Sequence, residues 1–116
     1  YKNVATWGQS NAVLLSESRY NTLIKPLRPF ANGGSTGINE SYLFMQTSIY
    51  DMLNSTPETV VTHINNYKAY CDRATADGFK VIVLEVFFGK ASETSVNVVG
   101  EQARLKFNLE MKNYAI

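Results

Sequence analysis

The sequence predicts an α/β fold with a mostly parallel sheet, and three observations carry that expectation. A capped helix over residues 55–78 runs through a glycine into a continuous apolar strand, which is half of a βαβ unit. A short β-type run near the start ends in Gly8 and turns into a helix. A last amphipathic helix follows the apolar strand, as expected of a layered fold whose helices alternate with strands.

The first strand is expected at Asn3 to Trp7, where Val4 and its small neighbours suit a buried central position. A helix from about Asn11 to Tyr20 follows, with Ala12, Leu14 and Leu15 as its apolar residues. Lys25-Pro26-Leu27-Arg28-Pro29-Phe30 is excluded as a continuous helix, because each proline removes a donor and restricts the residue before it. Asn32-Gly33-Gly34-Ser35-Thr36-Gly37 reads as a loop. Asn39 to about Leu53 is apolar enough for a helix, although Ile49 and Tyr50 also suit a strand.

Ser55-Thr56-Pro57-Glu58 combines a cap residue, a first-turn proline and an early acid. Val60, Ile64, Tyr67, Cys71 and Ala74 then recur at spacings of three and four and define one apolar face. Gly78 is expected to close this helix in the left-handed conformation. Phe79 to Phe88 reads as a strand buried on both faces, with Glu85 as its one solvent-facing interruption. Gly89 to Asn97 is a polar loop, and Val99 to Tyr114 a helix with Ala103, Phe107, Met111 and Tyr114 on one face. The order fits a layered α/β domain over residues 1–116. It stops after a helix where another strand normally returns, so the domain is expected to be part of something longer.

The 116 residues, 45% of them hydrophobic, suffice for one packed domain. Eleven basic residues against ten acidic ones give a net charge of +1, with no basic stripe. Nucleic acid is therefore not an expected partner. No apolar run approaches the roughly 20 residues that span a bilayer, so no membrane partner is expected either. Cys71 is the one cysteine, which leaves no internal disulfide or cysteine zinc site, and its neighbours make it a buried small hydrophobe.

The chemistry-bearing stretch is Gly8-Gln9-Ser10-Asn11. A serine between a strand and a helix can stand exposed at the carboxyl edge of a sheet. The same serine could equally be a plain helix cap. The only histidine, His63, falls inside the capped helix and reads as a boundary residue, so no base for Ser10 is evident. Tyr42, Phe44 and Tyr50 read as core, with the lining of a glycan groove as the alternative.

Gly8-Gln9-Ser10-Asn11 resembles the first block of the SGNH (GDSL-like) hydrolases, in the variant found in sialate O-acetylesterase-type carbohydrate esterases. Asn32-Gly33-Gly34-Ser35-Thr36-Gly37 is similar to the glycine-bearing second block. The stretch from Thr56-Pro57-Glu58 to Leu84 is similar to the helix and strand after the third block. The resemblance implies a three-layer α/β/α fold with a mostly parallel sheet, and a serine ester hydrolase acting on carbohydrate O-acetyl groups, with Ser10 as nucleophile and no cofactor. It implies an oxyanion hole built from the Ser10 N–H and the Gly34 N–H, with Gly37 as the alternative register. The third block, Gly-x-Asn-Asp in the family, is met only by Ser48-Ile49-Tyr50-Asp51, with Asn54 as an alternative side-chain donor. The family's Asp-x-x-His block would lie after Ile116. The resemblance also admits a non-catalytic glycan-binding or structural module, as in a virion tail or fibre. A secreted or virion-associated setting is expected, and the apolar edge is expected to self-associate or to pack against the rest of a longer chain.

Overall fold

The structure is a computed structural model, and it describes residues 9–48, 51–52, 54–87 and 98–115. The strand expected at Asn3 to Trp7, Gly8, Ile49, Tyr50, Leu53, Phe88 and the whole Gly89 to Asn97 loop lie outside the described residues. Among the described residues the chain is a mixed α/β domain. Its helices are α1 (Asn11–Leu14), α2 (Glu17–Arg19), α3 (Val60–Ala76) and α4 (Val98–Tyr114), and its strands are β1 (Ser41–Met45) and β2 (Phe79–Val83).

The expected helix from Asn11 to Tyr20 is divided. Ser16 is extended (φ −61°, ψ 144°) and its hydroxyl accepts the Arg19 N–H at 3.3 Å, so a new helix starts there. A serine side chain that satisfies a nearby backbone donor competes with helix continuation. The chain then passes through a π-helical turn at Tyr20–Ile24 and 3-10 turns at Lys25–Leu27 and Phe30–Asn32. Arg28, directly before Pro29, is extended (φ −63°, ψ 163°), as the proline requires.

The helix expected over Asn39 to Leu53 is corrected by β1. Ser41 to Met45 alternates buried and exposed, a period of two, and its aromatic residues favour a pleated surface. Helical backbone is confined to Asp51–Met52 among the described residues of that stretch. β1 and β2 are parallel, with Ser41 opposite Phe79 and Met45 opposite Val83. The ladder extends one bond further, from the Leu84 N–H to the Met45 carbonyl at 2.8 Å. α3 is the crossover between them, which completes the βαβ unit.

The apolar face of α3 is buried as its spacing requires, with Val60, Ile64, Tyr67, Cys71 and Ala74 all inside. Its start differs in detail. Thr56, not Ser55, serves the first turn: its hydroxyl accepts the N–H groups of Glu58 and Thr59, both at 3.2 Å. Ser55 donates instead to the Asp51 carbonyl at 2.6 Å. Gly78 ends the helix with φ +92°, which a residue with a Cβ would resist.

The strand expected to be buried on both faces has only one buried face. Phe79, Val81 and Val83 turn toward the core, while Lys80, Ile82 and Leu84 are exposed, as are Tyr42 and Phe44 on β1. The helices cover one side of the sheet, so the described residues form two layers rather than three. The core lies between that side and the helices. Tyr67 meets Phe107 edge-on at 5.2 Å, and Tyr20 meets Tyr70 at 5.2 Å in the same way.

α4 packs on α3 through Ala103, Phe107 and Met111. Tyr114, expected on that face, is instead exposed, and its hydroxyl bonds Asp72 on α3. Beyond β2, Asn108 closes the extended backbone at Val86: it accepts the Val86 N–H at 2.9 Å and donates to the Val86 carbonyl at 3.1 Å. Arg104 donates a second bond to that carbonyl at 2.7 Å and pairs with Glu101. Glu85, between these residues, is exposed as expected.

Candidate functional site

Ser10 stands where the chain enters α1, extended at φ −72° and ψ 159° and half-buried. Its carbonyl accepts the N–H groups of Val13 at 3.1 Å and Leu14 at 3.0 Å. Its hydroxyl makes no capping hydrogen bond. The helix-cap reading of this serine therefore holds for its backbone position but not for its side chain.

Asn11 holds the turn in place, and it is almost wholly buried at 2% exposure. Its backbone N–H donates to the Asp51 carboxylate at 2.5 Å. Its side-chain amide donates to the Thr47 hydroxyl at 2.6 Å and its amide oxygen accepts the Ser48 N–H at 2.9 Å. The Tyr67 hydroxyl of α3 reaches the same oxygen at 3.5 Å. A buried amide is tolerated only when its polar atoms are matched, and this one is bonded on both sides. Burial pushes the Tyr67 phenol well above its ordinary value, against the opposing hydrogen bond from Thr47.

These contacts locate Ser10. Thr47, Ser48 and Asp51 follow the last residue of β1, so the serine lies at the carboxyl edge of the sheet. That is where open α/β sheets place their ligands. Sequence reasoning quoted Asn11 as part of a motif and gave it no role.

Gly34 is placed elsewhere. Its N–H donates to the Pro29 carbonyl at 3.1 Å, and a Cβ on it would fall 1.7 Å from the Arg28 carbonyl oxygen. Only glycine fits that approach. The loop is tied to the amino edge of the sheet: Ser41, the first residue of β1, donates to the Leu27 carbonyl at 2.6 Å, and Asn32 abuts Gly78, just ahead of β2. Strands of five residues separate the two edges, a span of roughly 13 Å. The structure thus does not bring Gly34 to Ser10. Gly37 belongs to the same loop, exposed at φ +71° with open space around it.

Asn54 is exposed in the turn after Asp51–Met52, on the Ser10 side of the sheet. His63 is half-buried within α3, a boundary position as its sequence setting indicates. Cys71 is buried, and burial pushes its thiol up to about 11. A groove of about 640 Å³ runs between α3, β2 and α4, with Cys71, Val81, Val83, Phe107 and Met111 in its lining. It does not include Ser10, Asn11 or Asp51. Among the described residues no cluster of histidine, cysteine and acidic side chains could hold a metal ion, and no helix is long and apolar enough to cross a membrane.

The arrangement can present a hydroxyl at a rigid turn, held by a buried amide and a carboxylate. Compared with known proteins, the chain matches no family model, no curated protein and no solved structure.

Proposed function

We propose that the chain carries the nucleophile end of a serine ester hydrolase site, with O-acetyl groups on carbohydrate as substrate. The observation that carries this reading is the Ser10 side chain: it sits at a helix start, where serine normally caps, yet it makes no capping bond. A hydroxyl without structural duty, fixed at the carboxyl edge of a parallel sheet, is suited to attack a carbonyl.

In this reading the Ser10 hydroxyl oxygen attacks the ester carbonyl carbon, and its own N–H helps hold the developing oxyanion. The Asn11 N–H is already spent on Asp51. Serine stays protonated and weakly nucleophilic near neutral pH without a base. The reading assigns that base to a histidine in an Asp-x-x-His block outside these residues. Ester hydrolysis of this kind uses protein groups alone. The finer architecture proposed is the three-layer SGNH type, whose second helical layer would cover the open face of Tyr42, Phe44, Ile82 and Leu84. Parallel sheets are seldom left bare on one side.

The test is p-nitrophenyl acetate hydrolysis by the longest natural form of the protein beside Ser10→Ala. Loss of at least about a thousandfold in kcat is expected of a nucleophile. Equal rates with the fold intact would overturn the reading.

A second reading, a non-catalytic glycan-binding module, is favoured by one observation. Tyr42 and Phe44, two residues apart on β1, are 51% and 65% exposed rather than core. Aromatic faces on a sheet can stack on sugar rings. Retarded migration in a polysaccharide gel that is lost in Tyr42→Ala and Phe44→Ala would support the module, and migration unaffected by polysaccharide would remove it.

A further inference from the structure

We propose that Asp51 is a positioning residue for Ser10. Its carboxylate accepts the N–H of Asn11, the residue directly after the serine, and so fixes the backbone that carries the hydroxyl. The consequence for catalysis rests on the esterase reading, whereas the arrangement itself stands on geometry.

A serine at a helix start ordinarily turns its hydroxyl onto the N–H of the second or third helical residue, because the first turn leaves its donors unmatched. In α1 the third of these donors, Val13, is bonded to the Ser10 carbonyl at 3.1 Å. The first, Asn11, is bonded to the Asp51 carboxylate at 2.5 Å. A bond from an amide to an ionised oxygen is about twice as strong as a neutral one. The residue after Ser10 is therefore held from across the fold, and the Val13 donor is held by the Ser10 carbonyl, so the serine backbone is fixed from both sides.

Asp51 is itself fixed. Its N–H faces the Ser48 hydroxyl at 3.4 Å and its carbonyl accepts Ser55 at 2.6 Å. Ser48 also donates its N–H to the Asn11 side chain. The carboxylate and Asn11 are thus both referenced to Thr47, Ser48, Asp51 and Ser55, and the position of Ser10 follows from them. A shift of about 1 Å at a reacting group can cost about a hundredfold in rate, so this anchoring has catalytic weight.

The experiment compares the full chain with Asp51→Asn and Asp51→Ala. NMR reads the Asn11 amide exchange rate and the Ser10 side-chain rotamer, and p-nitrophenyl acetate gives kcat and KM. Asn retains an acceptor oxygen and Ala does not. The Asn11 amide is expected to exchange at least about tenfold more slowly than a free amide in wild type and Asp51→Asn, as one net hydrogen bond implies, and to lose that protection in Asp51→Ala. In Asp51→Ala the backbone at Ser10 loosens, its rotamer distribution changes and kcat falls tenfold or more at unchanged KM, while Asp51→Asn restores most of it. A purely structural role would lower stability without moving the rotamer or dividing kcat from KM.

An unprotected Asn11 amide in wild type overturns the proposal, even if Asp51→Ala does not fold. So does a Ser10 rotamer that is the same in all three proteins. If Ser10→Ala hydrolyses ester as fast as wild type while exchange and rotamer behave as expected, the esterase reading falls and the positioning of Ser10 by Asp51 remains.

Discussion

The Tyr20 hydroxyl donates a 2.6 Å hydrogen bond to the Asp77 carboxylate, which ties the π-helical turn to the residue that ends α3. The ring is fully buried, and the Arg73 guanidinium lies over it at 5.3 Å. Burial, and then Asp77, hold the phenol far above its ordinary pKa. Tyr20→Phe keeps the ring and its packing on Tyr70 but removes the hydrogen bond. A loss of about 1.5–3 kcal/mol in urea unfolding is expected, the range for a bond to a charged acceptor. No change on Tyr20→Phe would mean that Asp77 gains nothing from the contact.

Alkaline pH should be where this fold weakens first through its buried acids. Burial, with Asp72 adding to it, raises the Cys71 thiol from 9.0 to about 11. The phenols of Tyr20, Tyr67 and Tyr70 are also raised, each mainly by burial. A raised native pKa means that the folded form keeps a proton which the unfolded chain releases. That stabilisation is whole below the unfolded pKa and disappears as pH climbs through the native one. Urea midpoints should therefore fall from about pH 9, with the Cys71 share gone near pH 11 and the tyrosines continuing beyond. Cys71→Ala should delay the onset. A wild-type profile that stays flat from 9 to 11 would contradict this assignment.

Much of the scaffold was legible because it is local. The α3 face repeats at helical spacing, Gly78 has to be left-handed, and an apolar run follows it into β2. β1 was misread because Tyr42-Leu43-Phe44-Met45 is apolar throughout, and an unbroken apolar run hides its period. The alternation appears only when one sheet face is left open, which is a property of tertiary packing and not of the residues. The break at Ser16 turned on a side chain choosing Arg19's N–H over a continuing helix, and composition does not decide that choice. For the site, Ser10 was visible through its neighbours in the motif. The pairing of Asn11 with Thr47, Ser48 and Asp51 spans 36 to 40 residues, and no local signal carries it.

The open sheet face offers a contrast in energetics. Phe44 and Ile82 face each other in register and are 65% and 38% exposed, whereas Phe107 is completely buried. Replacing Phe44 by Thr removes at most one cross-strand pair, about 0.2–1 kcal/mol, and should lower the fluorescence of an apolar dye such as ANS. Phe107→Ala empties the space against Tyr67 and should cost about 3–5 kcal/mol. Against a total of about 5–15 kcal/mol, that loss should leave the domain marginal. Equal destabilisation by the two changes would show that the Phe44 face is covered in solution.

Ser10 and Ser16 begin consecutive short helices with similar extended backbone, and they differ in what the hydroxyl does. Ser16 accepts the Arg19 N–H, while Ser10 makes no such bond and the first N–H of its helix goes to Asp51. A serine cap replaced by alanine typically costs about 1 kcal/mol. Ser16→Ala should show that loss in a urea titration, and Ser10→Ala should fall within about 0.5 kcal/mol of wild type, as expected where no side-chain bond is removed. The order of the two values is the decisive quantity. A Ser10→Ala loss as large as that of Ser16→Ala would make Ser10 an ordinary cap and remove the structural reason for assigning it chemistry. A negligible loss, beside a measurable one at Ser16, would mean that the hydroxyl at position 10 contributes nothing to folding and is free to act on an ester.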